Sequence, residues 1–152
     1  MAPCRTLALL LPLLAACLPN ALLAQSPIAG KWRTIDDETG GERSIVEIRL
    51  VDGELQGRIL QIFLRPDEKP DPVCEACDGE RKNQPIIGMT FLWGLKPDGK
   101  DAWAGGSILD PKNGKIYNAK ASLADNGQAL RLRGFIGTPL LGRTQTWQRE
   151  TQ

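Results

Sequence analysis

Apolar and polar residues alternate with period two through much of the chain after residue 30. Val46, Ile48 and Leu50 share one parity, with Glu47 and Arg49 on the other. Tyr117, Ala119, Ala121 and Leu123 repeat the pattern against Asn118, Lys120 and Ser122, and Leu130 and Leu132 oppose Arg131 and Arg133. One apolar and one polar face is the signature of half-buried antiparallel strands. The pattern predicts strands over 32–36, 44–51, 54–64, 86–96, 101–109, 115–124, 129–136 and 142–150. No stretch of about a dozen residues in this part carries a helical apolar stripe free of Gly and Pro. A brief helical turn is expected near 73–78.

Turn chemistry separates these segments. Asp52-Gly53, Asp98-Gly99, Asn113-Gly114 and Asn126-Gly127 are Asx-Gly pairs, and Gly40-Gly41 marks a further turn. Such pairs tolerate the positive φ of tight hairpins. Successive hairpins describe an up-and-down meander. Unpaired edge strands favour closing it, so the expected fold is all-β, an eight-stranded antiparallel up-and-down barrel. A seven- or eight-stranded sandwich is the rival arrangement. The one long connection, 65–85, holds four prolines and both cysteines that follow the leader, and it could lid one barrel end.

The first two dozen residues have a different character. Arg5 is the only charge before Lys31, and Leu7–Ala16 is an apolar run too short to cross a bilayer. Pro19 and the small residue Ala24 complete the layout of a secretory signal peptide over 1–24, cut before Gln25. Leu14-Ala15-Ala16-Cys17 resembles the lipobox of bacterial lipoproteins, so lipidation at Cys17 is the rival route. Either route places residues 25–152, a single domain, outside the cytoplasm. A periplasmic or secreted protein is expected, with an outer-membrane lipoprotein as the alternative.

Charge and composition then exclude chemistries. The chain has 19 basic and 18 acidic residues, and loss of Arg5 with the leader leaves the domain near neutral. It lacks the electrostatic footprint of a nucleic-acid binder, and no later apolar run is long enough to span a membrane. There is no histidine. That removes Ser-His-Asp and Cys-His catalysis and His-ligated metals. Asp36 and Asp37 are adjacent and would face opposite ways on a strand, and Asp110-Pro111 reads as turn chemistry. No catalytic residue, metal site or cofactor is expected. Cys74-Glu75-Ala76-Cys77 admits three readings: a structural disulfide, a redox pair or a metal site. Glu75, Asp78 and Glu80 disfavour a thiolate, and a closed zinc site wants four ligands. The disulfide is therefore favoured.

Gly30-Lys31-Trp32 at the first strand and Arg149 at the end of the last resemble the calycin superfamily, which includes the lipocalins. The resemblance implies that Trp32 closes one barrel end beneath Arg149 and that neither touches ligand. Further motifs run from Gly105-Gly106-Ser107-Ile108-Leu109-Asp110-Pro111 through Arg133-Gly134-Phe135-Ile136-Gly137 to Gly142-Arg143-Thr144-Gln145-Thr146-Trp147. Together with Gly114-Lys115-Ile116-Tyr117 they are similar to the exported bacterial family called domain of unknown function 2147. That resemblance implies no activity.

Candidate ligand contacts are the strand aromatics Trp93, Trp103 and Tyr117, with Trp147 beside them, and the cations Arg133 and Arg143. The alternative is that the aromatics fill a closed core and the arginines are solvated. Two functions lead: uptake of a small apolar or amphipathic ligand, or an envelope interaction through the 65–85 loop or the apolar 137–142 turn. A thiol redox protein acting through Cys74 and Cys77 is the third.

Overall fold

Eight antiparallel strands follow one another, and the first pairs with the last, so the sheet has no edge. The structure is a computed structural model and describes residues 26–151. The leader and Cys17 lie outside the described residues. The strands are β1 (Gly30–Ile35), β2 (Glu42–Val51), β3 (Glu54–Ile62), β4 (Thr90–Pro97), β5 (Ala102–Asp110), β6 (Lys115–Ala124), β7 (Ala129–Phe135) and β8 (Gly142–Arg149). The expected closed meander is thus present, and the sandwich is not. Among the described residues no helix is long and apolar enough to cross a membrane.

The turns work as their residues dictate. Asp52 and Gly53 both adopt positive φ, 50° and 81°, between the paired Val51 and Glu54. That is the primed hairpin geometry whose twist matches the flanking strands. The expected helical turn falls later, at Gly79–Arg81. Around 73–78 the backbone is otherwise engaged: Val73 bridges Pro85, and the Cys74 amide donates to the Gln84 carbonyl at 2.9 Å. β4 starts at Thr90 rather than 86, because Gly88, at φ 89°, turns the chain and donates to the Ile59 carbonyl.

One end of the barrel is solid. Trp32, Leu55, Leu95, Trp103 and Leu130 fill it, none more than 5% exposed. Trp32 pairs in register with Arg149, whose guanidinium lies 4.2 Å from the indole centroid. Arg149 also donates to the carbonyls of Gly127, Ala29 and Pro27, while the Trp32 indole N–H donates to the Ile28 carbonyl. Burial pushes the Arg149 guanidinium below its usual value, yet it stays charged because arginine starts so high. One cation thereby ties the segment before β1, the end of β8 and the β6–β7 turn into a single plug.

The long connection folds over the other end. A Cys74–Cys77 disulfide stiffens it, with both residues buried. It packs on the β5–β6 turn, where Gly114 has φ 71° and a Cβ would sit 1.9 Å from the Ala76 carbonyl oxygen. The backbones therefore approach as only glycine allows. Gly114→Ala is expected to cost more than about 2 kcal/mol in chemical denaturation, from left-handed strain plus overlap. A loss under about 0.5 kcal/mol would show that this contact is not needed.

Candidate functional site

The end opposite the tryptophan plug is hollow. Gly134 on β7, which lines the cavity, has no side chain to fill it. The result is a cavity of about 1070 Å³. Small-molecule sites typically span roughly 300–1,000 Å³, and an eight-stranded barrel is wide enough for one ligand.

Val46, Ile59, Phe91, Leu132 and Trp147 supply its apolar floor and walls. The Phe91 and Trp147 rings lie 6.0 Å apart, inclined at 44°. The wall from β1, β2 and β8 is polar. The Thr34 and Ser44 hydroxyls hydrogen-bond at 2.7 Å. Gln145 accepts from the Trp147 indole N–H at 3.2 Å and donates to Asp37 at 3.1 Å.

Ion pairs cross the rim. The β1–β2 turn supplies three consecutive acids, and each reaches a different element: Asp36 pairs with Arg65, Asp37 with Arg143, and Glu38 with Lys112 at 3.5 Å. The turn is thus latched to the long connection, β8 and the β5–β6 turn. Asp36 accepts the Thr39 and Glu38 amides, both at 2.9 Å. The Thr39 amide bond, seconded by the Glu38 amide and Arg65, holds this carboxyl at about 2, below its ordinary 3.8. Glu68 is also lowered, first by the Arg43 side chain and then by the Arg65 amide. Because the folded value of Asp36 is depressed, its stabilising effect is complete above the ordinary value and fades as pH falls toward about 2. Asp36→Asn is therefore expected to be less stable than the parent at neutral pH. The gap should close below about pH 2, as acid titrations followed by circular dichroism can read. A gap that persists unchanged there would refute the latch.

Sequence-singled residues fall in different places. Tyr117 and Arg143 line the cavity; Tyr117 accepts from Asn113 at 3.1 Å. Trp103 belongs to the solid end and Trp93 does not line the cavity; its ring carries the Arg81 guanidinium at 4.8 Å. Arg133 is bonded to the Pro139 carbonyl at 2.6 Å and Thr144 at 2.8 Å, pinning the β7–β8 turn rather than lining the cavity. Cys74 and Cys77 are joined in a disulfide and buried in the long connection, with Cys77 bordering a smaller surface pocket beside Arg81 and Tyr117. The polar wall and the rim latch, built on Thr34, Asp36, Asp37 and Gln145, were not evident from residue type. Only the double acid before the Gly40-Gly41 turn hinted at them.

A closed eight-stranded meander, plugged at one end by a tryptophan under an arginine and hollow at the other, defines a lipocalin-like barrel. The chain belongs to the bacterial family DUF2147, described as uncharacterized protein conserved in bacteria, which it matches over residues 30–149. Among solved structures it is similar to one described as "Protein HP1028 from the human pathogen Helicobacter pylori belongs to the lipocalin family". The TM-score is 0.70 at 21% identity, covering 82% of this chain and 84% of that one, which is a likeness of fold. No curated protein matches the chain.

Proposed function

We propose that this domain is a binding module that holds a small apolar or amphipathic molecule in its cup. The observation that carries this reading is the cavity of about 1070 Å³, apolar below and polar along one wall. An apolar body would be driven in by the hydrophobic effect, at about 25 cal/mol per Å² buried, while the Gln145–Asp37–Arg143 side receives a polar edge. Native mass spectrometry of gently purified protein tests it. The expected result is a bound small molecule, lost on solvent extraction and replaceable by a fluorescent apolar probe. A bare mass together with no probe uptake would overturn the reading.

The domain is further proposed to work outside the cytoplasm. The leader-like pattern of residues 1–24 and a disulfide suited to an oxidising compartment support this. The intact mass of protein from cell fractions distinguishes a chain starting at Gln25 from one lipidated at Cys17. A second reading, contact with an envelope partner, is favoured by one observation. Leu140 and Leu141 on the β7–β8 turn are 89% and 71% exposed. Leu140→Asp, at a residue outside the cavity lining, should weaken such a contact without touching probe uptake.

A further inference from the structure

The rim of the cup is not electrically neutral. Five cations line the cavity, and every one of them is held by an acid. Arg65 and Arg143 are paired with Asp36 and Asp37, and Lys112 with Glu38. Arg43 meets Glu68 at 2.7 Å, and Lys69 meets Glu75 at 3.8 Å. Two lining acids remain, Asp71 and Asp110, and among the described residues neither has a cationic partner. Among the lining residues a headgroup therefore meets two acids without an ion-pair partner and no unpaired cation; Lys115 on β6, in register with Asp110, makes no ion pair with it and lines the neighbouring pocket.

An aromatic ring stands beside one of them. The Asn113 side-chain amide donates to Asp110 at 3.0 Å and to the Tyr117 hydroxyl at 3.1 Å, so one residue holds carboxylate and phenol together. Tyr117 is half-buried and lines the cavity. A carboxylate next to an aromatic ring is the chemistry that accepts an ammonium group, through charge and through the ring's negative face.

We infer that the cup selects amphiphiles with a cationic headgroup, the tail lying on the apolar floor and an ammonium group drawn to Asp110 beside Tyr117, with Asp71 adding negative potential at the cavity wall. This rests on the cup being a ligand site. Two charges at roughly 8 Å in water favour a cation over a neutral headgroup by about fivefold at low salt, and a neutral over an anionic one by a similar factor. Salt should compress both ratios, because Asp71 is exposed and Asp110 only partly covered.

The test is calorimetric titration of the folded protein with three compounds that share a dodecyl tail, each below its micelle concentration: dodecyltrimethylammonium, dodecyl maltoside and dodecanoate. The expected order is cation, then neutral, then anion, with the spread shrinking at high salt. The variant Asp71→Asn/Asp110→Asn is expected to bind all three within about twofold of each other. Asp71 sits at φ 52°, a conformation asparagine also adopts, and at Asp110 asparagine keeps one of the two acceptors used by the Lys112 amide and the Asn113 side chain, so circular dichroism is read beside the titration to check the fold. Equal affinities in the parent, or tighter binding of dodecanoate, would overturn the inference while leaving the cup as a ligand site. Binding of none of the three would take down the cup reading itself, and headgroup selection with it.

Discussion

Trp32→Ala is expected to destabilise the domain by about 4 kcal/mol, within the range for deleting a buried indole from a core. Trp32 is fully buried, hydrogen-bonded to Ile28 and covered by Arg149. Its removal leaves a void beneath a guanidinium that then has no ring to rest on. For a domain of this size the loss corresponds to a fall in Tm of roughly 15 °C. Arg149→Met should cost about 2 kcal/mol, because the carbonyls of Gly127, Ala29 and Pro27 lose their donor. The pair should couple: the double variant is expected to lose about 1 kcal/mol less than the two single losses together. A Trp32→Ala loss under about 1 kcal/mol in urea unfolding would mean that the plug does not hold the barrel shut.

Filling the cup should separate binding from folding. Ile62 lines the cavity from β3, is only partly buried, and pairs with Ser44 at the end away from the plug. An indole there would extend into open volume rather than into packed neighbours. If it displaces about three methylenes of a bound tail, at about 0.8 kcal/mol each, affinity falls by roughly 50-fold. Tm is expected to move by only a few degrees, since the solid end lies elsewhere. Probe titration of Ile62→Trp beside a thermal melt reads both numbers. Unchanged affinity with an intact melt would place the ligand outside the cup.

The barrel was legible in the sequence because its causes are local. Alternation in β6 and β7 puts Ala119, Ala121, Leu130 and Leu132 inside, as their parity predicts. The Asp52-Gly53 turn needs only its own two residues to set the hairpin. Trp32 and Arg149 meet because first and last strands of a closed meander must be neighbours.

The site was less legible, and the reason is parity. Pairing shifts by a residue or more between Trp103 and Gly106, between Leu55 and Gly57, and between Gly57 and Arg58. Each such bulge changes which residues of a strand face inward. Trp93 lies on a strand flanked by such shifts and does not line the cavity, whereas Trp103 faces inward but fills the solid end. Leu50 shares parity with Val46 and Ile48 but is exposed, because β2 runs past the packed end into its turn.

Sequence alone thus determined the number of strands and their order, since hairpin turns and alternation act over a few neighbouring residues; the residues that seal the base were legible only through the resemblance of Gly30-Lys31-Trp32 and Arg149 to the calycins. The hollow and its charged rim were decided only by tertiary structure. Asp37 and Arg143 stand 106 residues apart, and Asp36 and Arg65 are 29 apart. Their meeting depends on strand stagger, bulges and the path of the long connection. Those quantities are set by packing around the whole barrel and leave no local mark on the chain.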